Sequence, residues 1–111
     1  MGASDGLELL PGTLELLILR TLAPGPMHGY AVAQRLKDVS DKVLQVGESS
    51  LYPALQRLLL KGWVKAAWGA SENNRRARYY TLTASGRKQL TVERQEFDRL
   101  ILAIHKVLNA T

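Results

Sequence analysis

The 111 residues are 46% hydrophobic and carry a net charge of +5, which suits one small domain with a modest core. The absence of cysteine excludes disulfides, thiolate zinc sites and cysteine nucleophiles, and fits a reducing compartment. Met1 to Glu8 has no basic residue ahead of apolar ones, so it does not read as a secretory signal, and the longest apolar runs fall far short of the roughly 20 residues that cross a bilayer. A soluble, cytoplasmic protein without membrane association is expected.

Along the chain, Pro11-Gly12-Thr13 reads as a helix start with Thr13 or Gly12 as cap. The helix that follows, Leu14 to Leu22, is apolar almost all round, whereas a surface helix of a monomer keeps a polar face. It is therefore expected to be buried twice, against its own domain and, through Leu14, Leu17 and Ile18, against a partner. Ala23-Pro24-Gly25-Pro26 ends it. A second helix starts near His28-Gly29-Tyr30 and runs to about Asp38, with Tyr30, Ala33 and Leu36 at inward spacing. Val43 to Val46 reads as a brief extended segment.

A third helix is located by Pro53, which is tolerated in a first turn where its missing N–H has no intrahelical acceptor. Ser49 or Ser50 is then its cap, and Gly62 closes it after Lys61. Leu51, Leu55, Leu58 and Leu59 form its inward face, while Ser49, Ser50, Pro53, Gln56 and Arg57 lie opposite. Trp63 to Trp68 and Ala77 to Leu82 read as two strands, joined by the polar loop Gly69 to Arg76. Thr83 to Gly86 caps a last helix of about 25 residues, roughly 40 Å long. Its second half sets Phe97, Leu100, Ile101, Ile104, Val107 and Leu108 at three–four spacing, a stripe too long for so small a domain to cover.

This order of elements gives the fold class: mainly α with a small β-hairpin, a winged helix-turn-helix (residues 1–82) plus a long C-terminal dimerisation helix (83–111), built as one compact unit. The charge supports a function for it. Residues 48–91 hold eight basic against two acidic side chains, while the flanking segments are nearly balanced. Positive charge thus concentrates on the third helix and the hairpin, as a phosphate-binding surface requires.

Five stretches, Gly12-Thr-Leu-Glu-Leu-Leu-Ile-Leu19, Pro26-Met-His-Gly-Tyr30, Ser50-Leu-Tyr-Pro-Ala-Leu55, Leu58 with Gly62-Trp63-Val64, and Arg76-Ala-Arg-Tyr-Tyr-Thr-Leu-Thr-Ala-Ser-Gly86, occur in an order and spacing that closely resembles the PadR family of bacterial winged-helix transcriptional regulators. They span nearly the whole chain, and its length resembles the short branch with a single terminal helix. The resemblance implies a homodimeric repressor of double-stranded operator DNA, dimerised through its first and last helices. In some members a small molecule relieves repression, and those that bind flat drugs use an aromatic on the last helix, which here is Phe97.

The candidate DNA contacts are Ser49, Ser50, Tyr52, Pro53, Gln56, Arg57 and Lys61 on the third helix, with Asn73, Asn74, Arg75, Arg76 and Arg78 on the hairpin. Gln56 has the geometry to read adenine and Arg57 guanine, although either serves equally as a phosphate contact. Tyr52 is either packed or half-buried with its hydroxyl on phosphate. Tyr30, Tyr79 and Tyr80 are expected in the core or the hairpin sheet, with a phosphate contact as the alternative for Tyr30, and Trp63 and Trp68 are expected to anchor that sheet. Dimer contacts are expected from Leu14, Leu17, Ile18, Phe97, Leu100, Ile101, Ile104, Val107 and Leu108, with Phe97 as core of the dimer or wall of an effector cavity. His28 and His105 lack metal-ligand spacing, and no nucleophile, phosphate loop or paired-carboxylate pattern suggests an enzyme or a cofactor. Two rival readings are a winged helix that binds only protein, and a sequence-neutral architectural DNA binder.

Overall fold

The structure, a computed structural model, describes residues 9–111; the expectation about a signal at residues 1–8 lies outside them. Four helices and three short strands follow one another as α1 (Pro11–Leu22), β1 (Met27–His28), α2 (Gly29–Val39), α3 (Glu48–Leu60), β2 (Val64–Ala70), β3 (Arg76–Leu82) and α4 (Ala84–Leu108). The sheet is antiparallel in the order β1-β3-β2. Among the described residues no helix is long and apolar enough to cross a membrane.

The core lies where α1, α2, α3 and the sheet meet. Ile18, Leu19 and Leu22 pack with Val32, Leu51, Leu55, Leu58, Val64 and Leu82, each worth about 1.5–3 kcal/mol when taken fully out of water. Leu14 and Ile18, expected to face a partner, are only 2% and 0% exposed within the single chain. They belong to this core and leave no surface for a dimer contact. Of the three α1 residues assigned to a dimer, only Leu17 keeps an open edge.

Helix ends differ from expectation in instructive ways. α1 starts at Pro11 with Leu10 as cap, earlier than a Thr13 or Gly12 cap would allow, because proline suits the first helical position. α3 is capped by Gly47, so Ser49 and Ser50 lie within its first turn and Pro53 in its second. The missing Pro53 N–H costs one backbone bond, from the carbonyl of Ser49, on the exposed side of the helix. The other end is as expected: Gly62 adopts φ +76°, and the N–H groups of Gly62 and Trp63 donate to the carbonyls of Leu59 (3.0 Å) and Leu58 (3.1 Å), a Schellman turn. α2 buries Gly29, Val32 and Leu36, whereas Tyr30, expected in the core, is 70% exposed.

A polar knot joins α3, the sheet and α4. Thr83 donates its hydroxyl to the Gly62 carbonyl (2.8 Å) and accepts from the Gly86 N–H (2.9 Å). Its own N–H donates to the Trp63 carbonyl at 3.0 Å. Gly86 is buried there, and a Cβ on it would stand 2.0 Å from that same carbonyl oxygen. From this anchor α4 runs 25 residues, its first half beside α1 and its second half largely open: Leu100, Ile104, Val107 and Leu108 are between 41% and 75% exposed.

Candidate nucleic-acid interface

The site is assembled by α3, the start of α2 and the β2–β3 wing. Because successive helical residues turn by about 100°, burying Leu51, Ala54, Leu55 and Leu58 leaves Ser49, Tyr52, Pro53 and Gln56 exposed together on the opposite side of α3. Ser50 is exposed in the first turn beside Ser49, where the helix dipole favours an anion and the Glu48 carboxylate opposes one.

Tyr52 leans from this face toward α2. Its ring lies over Gly29, where an added Cβ would meet Cε1 at 2.9 Å and the hydroxyl at 3.0 Å. Partial burial, and then the nearby Glu48 carboxylate and Tyr80, push the Tyr52 hydroxyl above its ordinary pKa of 10.0, so it remains an O–H donor at neutral pH. The start of α2 is fixed by His28, whose Nδ1 accepts from the Ala31 N–H at 3.2 Å; its ring meets Tyr79 edge-on at 5.5 Å. It is the Tyr52 ring over Gly29 that brings the His28-Gly29-Tyr30 and Leu51-Tyr52-Pro53 stretches into contact.

On the wing, alternation along β3 puts Arg76, Arg78 and Tyr80 on one face, and the register sets Trp68 opposite Arg78. The Arg76 guanidinium stacks over the Trp68 ring at 5.0 Å and that of Arg78 over Tyr80 at 5.8 Å. Trp68, expected to anchor the sheet, is itself exposed and serves as a platform for Arg76. At the tip, Asn73, Asn74 and Arg75 are exposed. Asn74 takes φ 58°, a left-handed turn conformation that asparagine tolerates, and the Ser71 N–H donates to the Arg75 carbonyl at 2.8 Å to close the turn. Among the described residues no wing arginine has a carboxylate partner. Tyr30, Tyr52, Trp68, Arg76 and Arg78 border one cleft of about 390 Å³ between helix and wing. Through Tyr52, the exposed face of α3 thus borders the same cleft as the wing cations Arg76 and Arg78.

Arg57 and Lys61 do not join them. The Arg57 Nε–H donates to Glu15 Oε2 at 2.9 Å and Lys61 Nζ to Oε1 at 2.8 Å, while the Lys61 ammonium also lies over the Trp63 ring at 4.7 Å. Glu15 is 6% exposed. Burial raises its pKa, but the hydrogen bonds and charges of Lys61 and Arg57 outweigh this and hold it below the ordinary value. Arg57 thus turns to the α1 flank of α3 instead of the face on which it would read guanine, because a buried carboxylate requires it. Sequence reasoning overlooked Glu15.

Phe97 is half-buried and lines a groove of about 520 Å³ with Leu16, Gln89, Glu93 and Leu100, between α1 and α4. His28 and His105 are not brought together with other ligands: among the described residues no three His, Asp or Glu side chains are grouped to hold a metal.

The comparisons with known proteins agree with this arrangement. Residues 18–92 match the transcriptional regulator PadR-like family. A transcriptional regulator from Clostridium thermocellum superposes with a TM-score of 0.79 at 28% identity, covering 86% of this chain and 92% of that one. A PadR family transcription regulator from Clostridium difficile does so with a TM-score of 0.74 at 26% identity, covering 86% and 98%. A 37.1 kDa protein of a Streptomyces fradiae transposon is 38% identical over 86 residues, 78% of this chain and 23% of its own length. The family's described role is regulation of transcription and not catalysis. With its winged helix, long terminal helix and unpaired basic wing, the chain belongs to the PadR-like family of DNA-binding transcriptional regulators.

Proposed function

We propose that this regulator is a cytoplasmic homodimer that represses transcription by reading a two-fold operator, with α3 in the major groove and the wing on the backbone. The observation that carries the reading is the cleft that Tyr52, on the exposed face of α3, shares with Arg76 and Arg78 of the wing. Its dimeric part is supported by the apolar stripe of α4, in which Leu100, Ile104, Val107 and Leu108 are exposed and Ile101 half-buried among the described residues. Two-fold pairing would set the reading helices about one DNA turn apart.

Duplexes enriched by the wild type from a random pool test this, measured against unselected DNA over a salt series. Arg75→Ala with Arg76→Ala weakens binding on every sequence and lowers the salt slope by up to about 3–4 per dimer. Gln56→Ala costs about 1–3 kcal/mol at particular base pairs and leaves the slope nearly unchanged. If the wild type enriches no sequence but binds all DNA, the architectural reading replaces the repressor. If it binds no DNA, the protein-binding reading does.

Relief by a small aromatic effector is the second part of the proposal, supported by Phe97 in the α1–α4 groove. An effector releases operator only if it binds the two states of the dimer unequally. Phe97→Ala therefore weakens a planar aromatic ligand while leaving operator affinity in place. A broad panel of such ligands with no effect on operator binding removes the sensor and leaves the repressor.

A further inference from the structure

Cations on a reading helix ordinarily add affinity for any DNA, because the phosphates they meet are the same at every sequence. In this chain the two cations at the C-terminal end of α3, Arg57 within the helix and Lys61 at its cap, are engaged elsewhere. Arg57 and Lys61 stand one turn apart, and the Glu15 carboxylate of α1 enters between them, giving one oxygen to each at 2.9 and 2.8 Å. Their side chains are still 38% and 44% exposed, whereas that of Glu15 is 8% exposed. Apart from the Trp63 ring beneath the Lys61 ammonium at 4.7 Å, these contacts are what hold the cations back among the described residues; releasing them would strand a buried carboxylate, so a hydrated phosphate competes poorly for them. The wing arginines have no such partner among the described residues.

Given the reading that α3 faces DNA, we propose that Glu15 is a specificity-determining positioning residue, which holds Arg57 and Lys61 off the DNA backbone so that α3 contributes base reading without sequence-neutral grip. Grip is left to the wing. Sequestering the two charges lowers affinity for random DNA more than for an operator held also by base contacts, and so widens the ratio between them.

The test uses the full chain, an unselected mixed-sequence duplex and the duplex enriched by the wild type, each titrated over a salt series. Glu15→Gln keeps the shape of the side chain but loses the charge that restrains both cations. It binds the mixed duplex more tightly, steepens its salt slope by about 0.9 per phosphate gained, hence by up to about two per chain, and narrows the operator-to-random ratio. Glu15→Gln combined with Arg57→Gln and Lys61→Gln returns the slope to the wild-type value. Lys61→Gln alone, which leaves the Arg57–Glu15 pair in place, also keeps that value. A folded Glu15→Gln protein with an unchanged slope overturns the proposal. So does a slope lowered by about one per chain in Lys61→Gln, which would mean that the lysine already touches phosphate; this arm holds even if Glu15→Gln fails to fold. A wild type without DNA affinity would remove the functional reading itself, a result distinct from either.

Discussion

Gly29→Ala probes the junction between α2 and the reading helix. The new Cβ would lie 2.9 Å from Cε1, 3.0 Å from the hydroxyl and 3.1 Å from Cζ of Tyr52, so the outer half of the ring must withdraw by roughly half an ångström or more to regain ordinary contact. Tyr52 is 43% exposed and can swing toward solvent about its own side-chain torsions. The fold therefore loses only about 1 kcal/mol of ring packing, offset in small part by the lower backbone entropy of alanine, since Gly29 is the first residue of α2 and not an interior one. The net change stays within about 1 kcal/mol, which for a domain of this size moves Tm by less than about 8 °C. DNA binding is the sensitive readout. Losing one hydrogen bond from the hydroxyl to a charged phosphate costs about 1.5–3 kcal/mol, or roughly 10- to 150-fold in Kd. Thermal melts paired with fluorescence anisotropy on the enriched duplex separate the two effects. Tyr52→Phe should match the affinity loss with little change in Tm, and Gly29→Ala added to Tyr52→Ala should cost nothing further. If Gly29→Ala retains operator affinity, or its penalty adds in full to that of Tyr52→Ala, the glycine does not act through the tyrosine.

Gly86→Ala has no such escape, because its Cβ would meet the Trp63 carbonyl oxygen at 2.0 Å and Leu82 Cδ1 at 2.7 Å; it should cost about 3 kcal/mol or more in chemical denaturation. Ile104→Asp places a charge in the exposed stripe of α4 and should yield monomers in light scattering, with DNA binding lost although the residue is remote from α3. The folded-state pKa of Glu15 is depressed, so its contribution to stability is in place above the ordinary carboxyl value and is lost as pH falls below it. Denaturation curves between pH 7 and 3 should accordingly show a shallower acid decline in Glu15→Gln than in the wild type.

Much of this was legible in sequence because its determinants are local. Thr83 before Ala84-Ser85-Gly86 marks a cap, and with no breaker beyond it α4 follows as a 25-residue helix. Gly62 marks the end of α3, and alternation in the two strands marks the wing. The remainder depends on distant partners. β1 is two residues long, too short for any period, and exists through pairing of Met27 and His28 with Tyr80 and Tyr79. Tyr30 shares helical spacing with Leu36, yet the buried stripe is centred on Val32, a rotation that only packing against α1 and α3 decides. Glu15 reads as the polar exception on an apolar helix, with its partners 42 and 46 residues away. Tyr52 meets Gly29 in the same non-local way. Sequence could thus nominate the reading helix and wing, but not decide which of α3's cations were free.

The Thr83 knot has a mechanical consequence. Because one side chain bonds both the Gly62 carbonyl and the Gly86 N–H, the end of α3, the base of the wing and the root of α4 are clamped to a single point. A 25-residue helix leaving that point is a lever about 37 Å long. With so little slack at the fulcrum, tilting the lever by about 10° moves its far end by roughly 6 Å and turns the reading head through the same angle. In the proposed dimer, whatever sets the angle between two such levers therefore sets the aim of both heads, with no hinge between to absorb it.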